Sequence, residues 1–504
     1  MIKTMNIWCG ISAIVLAFSA LPAAAQSFRV QCPTHTALHP LVGGQPNPHI
    51  KCQQLSGGDG FATMADGTQT YLFAFGPLSG LGDIAKGLPG TQPAAVFNQS
   101  NVDGSGNVLG VIKIGAPDGA AYAFNGAIGL VPDPEVPGNL IDGHVDPRLI
   151  MDVGVLNGNI PAPMIAIDEG DELFLTLTNV GQIMRPDLFE QHTVHFHGYA
   201  NASSFYDGVP DASIAINVGG SFTYYYLAPE AGTYIWHCHI SPPEHLQMGM
   251  VGQLYVRPKQ NTVTGSAGSL QAALQAANQA SATSGDGVKC NDILCAGQTP
   301  LPAVSTGAAP TGKKYAYNDG DGSTVYDVEY PIQMMGFDPN FHFVGMTFNP
   351  ESFADNKDKF FLLNGRSYPD TIHEGPLSTQ ASDGTPHFSQ PLPALIKIPV
   401  GGKALLRISD LNVTEYHTLA SLGIPMHVVG LNARLLRDLD GNNMYYDTNS
   451  ITLAGGESID VILDASDTTK YPSGSIFYLY TPQLDHLAND AENFGGMMTE
   501  VRIN

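Results

Sequence analysis

Short runs of apolar, aromatic and β-branched residues recur along the chain, separated by turns rich in glycine and proline. Runs of this length and composition are typical of β-strands, and no long segment follows the 3.6-residue period of an amphipathic helix. The clearest runs are residues 70–75, 172–178, 221–226, 233–236, 253–256, 404–408, 458–463 and 475–480. The pattern therefore predicts an all-β protein, which agrees with 56 glycines and 36 prolines among 504 residues.

Two parts of the chain resemble each other. Residues 161–180 read PAPMIAIDEGDELFLTLTNV, and residues 393–413 read PALIKIPVGGKALLRISDLNV. A histidine-bearing segment follows each of them, HTVHFHG at 192–198 and IPMHVVG at 424–430. Both halves then close with a strand after a glycine turn, an aromatic strand and a methionine-containing loop. An internal repeat of this kind predicts two related β-sandwiches with Greek-key pairing.

A stretch between the two halves sets the predicted domain boundaries. Residues 259–312 are rich in alanine, glutamine and serine, and this composition is typical of a linker. We therefore expect a first domain at residues 26–258, with loop insertions around 79–145, and a second domain at residues 313–504.

The first 25 residues have the composition of a secretory signal peptide. Lys3 supplies the positive charge, residues 11–21 the apolar core, and Ala23, Ala24 and Ala25 a small-residue cleavage site. The apolar core is too short for a comfortable membrane span, and no later segment has 18 consecutive apolar residues. We expect an exported protein with no membrane span, either periplasmic or secreted.

The six cysteines fit an exported chain. One leaves with the signal peptide, and Cys238 lies between two histidines. Four remaining cysteines in an exported protein predict two disulfides. The natural pairs are Cys32 with Cys52 and Cys290 with Cys295, while other pairings stay open.

Composition and charge exclude some classes of function. Apolar residues are 43% of the chain and charged residues 13%, which is too apolar for a disordered protein. The net charge of −24 provides no basic face for a phosphate backbone, so we expect no nucleic-acid partner. The acidic surface weakly favours metal cations or a basic redox protein as partners.

Two histidine-rich segments carry the candidate chemistry. The first is residues 192–198, and the second reads WHCHISPPEHLQMGM at 236–250. Side chains alternate between the faces of a strand, so His237 and His239 point to one side and Cys238 to the other. One short strand thus presents a thiolate to one site and two imidazoles to a neighbouring site.

The donor atoms at these two sites suit copper. A soft thiolate, two imidazoles and a weak thioether are the ligands of a blue-copper centre. A group of imidazoles alone suits copper ions that keep positions open for oxygen. Structural zinc has one closed shell of four ligands and needs no methionine. The candidates are His192, Cys238, His245 and Met250 for the first site, and His195, His197, His237 and His239 for the second.

The same residues resemble the multicopper oxidases, the laccase-like cupredoxin family, from about residue 64 to residue 504. The motifs that carry the resemblance are HFHG, FYDGVPD at 205–211 and GTYIWHCH at 232–239. The resemblance implies two cupredoxin-like Greek-key β-sandwich domains. It also implies a role for Asp207, as the carboxylate that assists proton delivery to reduced oxygen. The implied copper ligands are His192, Cys238, His245 and axial Met250 for type 1, His195 for type 2, and His197, His237 and His239 for the type 3 pair.

The spacing around the type 1 ligands departs from the family pattern. Five residues separate His239 from His245, where the family usually has three. Met248 therefore competes with Met250 as the axial ligand, and the family spacing from His245 favours Met250.

The second half departs further, because it lacks the two additional H-x-H pairs that complete the family's copper cluster. With the final strands aligned, Met497 falls opposite Met250 and Asp485 opposite Cys238. His486 then falls opposite His239, and His427 opposite His195. The alignment predicts no blue copper in the second domain and leaves His427 and His486 as its contribution to the cluster.

The resemblance also implies a homotrimer. In two-domain members of the family, the copper cluster lies between the first domain of one chain and the second domain of the next. By that analogy, His427 and His486 reach His195 and His197 of a neighbouring chain.

The expected function is that of an exported copper-dependent oxidoreductase. A small-molecule, metal-ion or redox-protein donor reduces type 1 copper, and the electron passes through Cys238 and an adjacent histidine to the histidine-bound copper, with O2 as the expected acceptor. Two alternatives stay open, namely a nitrite-reductase-like enzyme with a type 2 copper at a subunit interface and an electron-transfer protein without turnover. The copper content separates the three, with about four, two and one ions per chain respectively.

Overall fold

The computed structural model describes residues 32–98, 158–262 and 314–504, apart from 183–184, 186, 189, 199–202, 229, 342–352, 381–385 and 439–440 within them. Several sequence-based predictions lie outside the described residues. They are the signal peptide at 1–25, most of the insertion around 79–145, most of the linker at 259–312 and the pair Cys290 with Cys295.

Strands dominate the described residues, so the all-β prediction is confirmed. They are β1 Ile50–Thr63, β2 Gln69–Pro77, β3 Gln92–Pro93, β4 Ile165–Asp168, β5 Glu172–Gly181, β6 His195–Phe196, β7 Ser221–Leu227, β8 Gly232–His237, β9 Val251–Arg257, β10 Lys314–Tyr315, β11 Val325–Tyr326, β12 Val328–Phe337, β13 Phe360–Leu363, β14 Leu377–Gln380, β15 Pro386–Ser389, β16 Ile396–Ile398, β17 Lys403–Asp410, β18 His417–Leu422, β19 Met426–Leu431, β20 Arg434–Leu435, β21 Tyr446–Thr448, β22 Ser450–Leu453, β23 Ser458–Asp464, β24 Ile476–Tyr480 and β25 Met498–Ile503. Each of the eight runs predicted from the sequence overlaps one of these strands.

The helices are short. They are α1 Leu81–Ile84, α2 Ala94–Phe97 and α3 Pro242–Gln247, with 3-10 turns at Ser204–Tyr206, Lys259–Asn261, Phe353–Asp355, Asp370–Ile372 and Leu484–His486. Among the helices that the structure describes, none has the length and apolar character needed to cross a membrane.

The first half is a sandwich of two sheets. One sheet has the order β2-β1-β5-β7, with β3 beside β1, and the other has the order β4-β9-β8-β6. Apolar side chains from both sheets meet in one core, including Leu175 of β5 and Trp236 of β8. Burying such side chains is worth about 1.5–3 kcal/mol each, which stabilises the sandwich. The disulfide predicted between Cys32 and Cys52 is present and ties the preceding segment to β1.

The second half repeats this architecture. Its sheets have the orders β13-β12-β17-β23-β19-β20 and β16-β25-β24-β18-β22, with β21 beside β19. The core again draws on both sheets, for example on Leu406 of β17 and Leu479 of β24.

The strand pairing of the two halves corresponds closely. Parallel pairs β1 with β5 and β4 with β9 in the first half match β12 with β17 and β16 with β25 in the second. His195 pairs with His237 across β6 and β8, and Ala420 pairs with Tyr480 across β18 and β24. The second half is therefore a structural repeat of the first, and its register can be read residue by residue.

Buried polar contacts join the two halves. Arg257 of β9 donates to Glu329 of β12 at 2.7 Å, and Arg407 of β17 donates to the same carboxylate at 3.2 Å. Thr233 of β8 donates to Asp460 of β23 at 2.6 Å. Because these groups are buried or partly buried and are paired, they hold β8 and β9 against the second sandwich.

Candidate metal centres

The first candidate centre lies at one end of the first sandwich. His192 pairs with Ile216 in a single β-bridge just before β6, and Cys238 is the first residue after β8. His245 comes from α3, which brings the chain back toward the sheet after Pro242 begins the helix. One potential ligand atom from each of His192, Cys238 and His245 lies within 4.8 Å of the other two.

These three side chains are fully buried and in direct contact. The His245 Nδ1 atom lies 3.2 Å from Cys238 Sγ, and the Thr193 N–H donates to the same sulfur at 3.4 Å. Three elements of the sandwich are therefore needed to assemble a group whose members are up to 53 residues apart in sequence.

Met250 lies beside this group. Its N–H donates to His245 O at 2.9 Å, and its carbonyl accepts from Cys238 N at 3.1 Å. A Cβ atom built on Gly57 of β1 would lie 2.7 Å from His192 Cδ2 and 3.5 Å from Met250 Cε. Gly57 therefore leaves space for both side chains, and this geometry favours Met250 over Met248 as the thioether of the site.

Electrostatics prepares the group for a cation. Burial lowers the pKa of His192 well below its ordinary value, so its ring is neutral. Burial by itself would raise the pKa of Cys238, but the charge and hydrogen bond of His245 lower it below the ordinary value. Burial likewise opposes the charge of His245, yet the Cys238 thiolate and Glu190 raise its pKa to about 9. A metal ion requires a thiolate and neutral imidazoles, so a cation that binds here takes the place of the proton that His245 holds beside Cys238.

The donor set fits copper. Among the described residues, neither ring nitrogen of His192 has a hydrogen-bond partner, although the side chain is fully buried. An unpaired buried polar atom is costly unless a further ligand satisfies it. Copper bound by two imidazoles, a thiolate and a distant thioether would satisfy one ring nitrogen of His192.

The second candidate centre lies directly beside the first. Ligand atoms of His195, His197 and His237 lie within 4.8 Å of one another. Each ring directs Nδ1 to a backbone carbonyl, namely Asp207 O at 2.6 Å from His195, Cys238 O at 2.7 Å from His237, and Gly456 O for His197. A carbonyl that accepts from Nδ1 fixes the tautomer and leaves Nε2 as the free lone pair.

The free lone pairs of two of these rings face each other. His197 Nε2 lies 2.9 Å from His237 Nε2. Burial keeps both rings neutral, since it lowers the pKa of His197 and lowers that of His237 to about 3. Two acceptor nitrogens at this distance repel each other unless a cation binds between them, so this group also fits a metal ion.

His239 and Asp207 border the three-histidine group. The ring centroid of His239 lies 4.9 Å from that of His195. Asp207 Oδ2 lies 3.7 Å from His195 Nδ1, and its side chain is 36% exposed. The residues predicted from the first half therefore lie together.

The structure places the two predicted histidines of the second half elsewhere. His427 of β19 is partly exposed and its Nδ1 lies 2.8 Å from Asp447. His486 is buried against Phe361, with ring centroids 3.8 Å apart. Within the described part of this chain, neither belongs to the group formed by His195, His197 and His237.

Strand register corrects the alignment on which those two predictions depended. His195 pairs with His237, and the corresponding pair is Ala420 with Tyr480, so His427 does not occupy the position of His195. Cys238 N donates to Met250 O, and Thr481 N donates to Met497 O in the same way. Thr481, rather than Asp485, therefore corresponds to Cys238. The alignment of Met497 with Met250 was correct, but the loop after Thr481 is four residues longer than the loop after Cys238.

Two histidines of the second half, His486 and His417, occupy the positions of His245 and His192 in the first centre. The prediction from the sequence did not include His417. Met250 N donates to His245 O, and Met497 N donates to His486 O, so His486 corresponds to His245 and not to His239. His192 pairs with Ile216, and His417 pairs with Leu453 at the matching place. The sequence carries a signal for this in the motif E-x-H-T, which reads EQHT at 190–193 and EYHT at 415–418.

The comparisons with known proteins agree with this site. Residues 143–261, about a quarter of the chain, match the family model Cu-oxidase_3, described as multicopper oxidase. Multicopper oxidase MCE of Talaromyces pinophilus is 36% identical over 112 residues, which are 22% of this chain and 17% of that protein. Laccase abr2 of Aspergillus fumigatus is 34% identical over 108 residues, 21% of this chain and 17% of that protein.

A solved structure is similar over most of the chain. The blue copper oxidase from Nitrosomonas europaea covers 90% of this chain and 85% of its own, at 17% identity and a TM-score of 0.48. The curated relatives above are matched over 17% of their own length.

Paired donor sets of this kind suit copper. Residues 143–261 match the multicopper oxidase family model, and this segment contains all the candidate ligands from His192 to Met250.

Proposed function

We propose that this protein is a copper-dependent oxidoreductase of the multicopper oxidase type. It oxidises a donor one electron at a time at the centre formed by His192, Cys238, His245 and Met250, and it reduces an acceptor at the neighbouring histidine group. One observation carries the proposal: the buried thiolate of Cys238 is one peptide bond from His237, which lies in the second group.

Copper bound at the two groups would supply one-electron transfer from donor to acceptor. The chain itself supplies the connection, because the backbone of residues 237–239 links the thiolate to an imidazole on each side. Burial of His192, Cys238 and His245 excludes water from the first group and protects the thiolate from side reactions. The carbonyls of Asp207, Cys238 and Gly456 orient the imidazoles of the second group.

We propose a role in proton transfer for Asp207. Its carboxylate lies 3.7 Å from the His195 ring and is 36% exposed to solvent. A partly exposed carboxylate beside a reduction site can take protons from water and pass them inward. We infer that Asp207 supports the proton demand of acceptor reduction, with O2 as the acceptor.

The proposal also covers the electron donor and the cellular location of the protein. The donor is a small molecule, a metal ion or a redox protein, and the net charge of −24 favours cationic donors. We propose export to the periplasm or the medium, from the composition of residues 1–25 and the disulfide Cys32–Cys52.

A second candidate function has one observation in its favour. The positions in the second half that correspond to the four histidines of the second group carry Ala420, Leu422, Tyr480 and Pro482. This half therefore offers no imidazole at those four positions. A single type 2 copper on three histidines, as in a nitrite-reductase-like enzyme, needs fewer ligands than a three-copper cluster.

Copper content with electron paramagnetic resonance separates the two candidates. The full chain is loaded with copper and its metal content, visible spectrum and resonance spectrum are recorded. We expect an intense thiolate-to-copper absorption with a small parallel hyperfine splitting, and about four copper ions per chain for the oxidase or about two for the reductase-like enzyme.

Turnover is then measured with two acceptors. Oxygen uptake in the presence of a phenolic or ferrous donor supports the oxidase, whereas consumption of nitrite with no oxygen uptake supports the second candidate. Copper-loaded protein that lacks the thiolate absorption would contradict both, and blue protein without turnover on either acceptor would leave only the electron carrier.

A further inference from the structure

A second group of potential metal ligands lies in the second sandwich, away from the centres described above. Its members are Glu415, His417 and His486, and one ligand atom from each lies within 4.8 Å of the others. His417 is fully buried and His486 is nearly so. The Glu415 side chain is 41% exposed, which gives the group an opening to solvent.

This group occupies the place of the thiolate centre in the structural repeat. His417 and His486 stand where His192 and His245 stand in the first half. The match extends to the acid, because Glu190 lies 3.5 Å from His245 Nε2 and Glu415 lies 3.3 Å from His486 Nε2.

The surroundings of the two histidines repeat as well. Phe73 of β2 contacts the rings of His192 and His245, and Phe361 of β13 contacts the rings of His417 and His486. Met497 is fully buried at the position of Met250. The thiolate has no counterpart, since Thr481 takes the place of Cys238.

The group contains buried polar atoms whose bonding is incomplete within the described residues. Nδ1 of His417 and Nδ1 of His486 have no hydrogen-bond partner. Asp410 Oδ2 is also unpartnered, on a fully buried side chain whose other oxygen lies 3.4 Å from His417 Nδ1. An ion shared by Glu415 and His486 would be held through His486 Nε2, which lies 3.3 Å from the Glu415 carboxylate. The incompletely bonded His417 Nδ1 and Asp410 carboxylate add donors beside it that a bound cation would satisfy.

We propose that Glu415, His417 and His486 bind a divalent cation of the zinc and copper(II) class, with Asp410 as a nearby fourth carboxylate. Imidazole and carboxylate are ligands that both ions accept, whereas Ca²⁺ and Mg²⁺ prefer oxygen ligands alone. Without a thiolate the site cannot produce blue colour. It is a structural or type 2-like site at the position that corresponds to the thiolate centre of the first half.

Zinc alone is a suitable probe, because it binds these ligands and has no redox chemistry. The full chain is stripped with a chelator, equilibrated with Zn²⁺, freed of unbound metal and analysed for zinc per chain. We expect His417→Ala to hold one zinc ion fewer than the unchanged protein, and Glu415→Gln to bind that ion roughly tenfold to 100-fold more weakly. His373→Ala removes an exposed histidine of the same sandwich and serves as the control, with an unchanged zinc content.

Further measurements check that the variants fold and that the zinc site is independent of the first centre. Glu415→Gln is nearly isosteric at a partly exposed position, so its effect stands even if His417→Ala fails to fold. Copper-loaded Glu415→Gln should keep the thiolate absorption of the first centre. In a Cys238→Ser background the difference of one zinc ion should persist, whether or not the proposed oxidoreductase function is correct. Equal zinc content and equal affinity in the unchanged protein, His417→Ala and Glu415→Gln would overturn the proposal and leave a His417–Asp410 ion pair only.

Discussion

The two sandwiches place corresponding histidines and methionines around different central residues. In the first, Cys238 lies against His245 with Met250 below it, and in the second Thr481 occupies the same register beside His486 and Met497. A hydroxyl does not replace a thiolate as a copper ligand, because it is a hard and weakly acidic donor. Under the proposed assignments, the residue at this register decides whether the group can bind copper through a thiolate.

A second difference lies in the neighbouring sheet. Gly57 pairs with Asn179 across β1 and β5, and Met334 pairs with Asp410 across β12 and β17. Met334 therefore stands where Gly57 stands in the first half. The glycine leaves room for His192, whereas the second half fills that position with a buried side chain. The acid Asp410 replaces an amide at Asn179, which makes the second site more favourable for a cation.

The largest expected effect is the loss of the thiolate in the first half. Cys238→Ser should abolish the blue absorption completely, because the intense band requires a copper–sulfur bond. Thr481→Ser is the matched control at the corresponding position and should leave the spectrum unchanged. Visible spectroscopy of the two copper-loaded proteins measures this. Blue colour that persists in Cys238→Ser would contradict the ligand assignment.

The reverse change, Thr481→Cys, tests whether the residues around position 481 can form a thiolate–copper centre. Thr481→Cys places a thiol between His417, His486 and Met497, and we expect a second thiolate-to-copper band that roughly doubles the blue absorption per chain. The same substitution in the Cys238→Ser background should restore blue colour in a chain that has lost it. If that double variant binds copper but stays colourless, the two halves differ in more than the central residue.

The smallest of the three effects concerns the ionic contacts between the two halves and their contribution to the free energy of unfolding. Burial by itself would raise the pKa of Glu329, but Arg407 and Arg257 lower it from 4.5 to about 2. This stabilisation is present above the unfolded-state pKa and is lost as pH falls from about 4.5 toward 2. We expect Glu329→Gln to lower the free energy of unfolding by roughly 3 kcal/mol at neutral pH and to flatten the pH dependence in that acid range.

Denaturant unfolding at several pH values measures this effect. Glu374→Gln removes an exposed partner of Lys397 and is the control, with little change expected. A single cooperative transition that splits in two in Glu329→Gln would show that this cluster couples the sandwiches. An unchanged midpoint would show that the remaining contacts between them suffice.

Much of this protein could be predicted from the sequence because the relevant patterns are local. All eight predicted strands are present, since alternation and turn residues act over a few positions. The grouping of the candidate ligands around Cys238 was predicted for the same reason, as their spacing along one strand and one loop fixes which side chains share a face.

The predictions for the second half failed where loop length mattered. Four additional residues between Thr481 and Met497 shifted the alignment, so that Asp485 was assigned to the position of Cys238. The segment from His486 to Met497 is six residues longer than the segment from His245 to Met250, so His486 was assigned to the position of His239. His417 was overlooked. Gly57 was missed as well, because nothing in its own surroundings in the sequence shows that it lies against His192.

From residue order alone, the side chain of Cys238 and those of His237 and His239 are expected to point in opposite directions, because side chains alternate along an extended backbone. Residue order did not reveal which histidines of the second half correspond to His192 and His245, and the folded chain was needed for that. Strand register between distant segments is set by hydrogen bonds and core packing, and a loop can change its length without disturbing either.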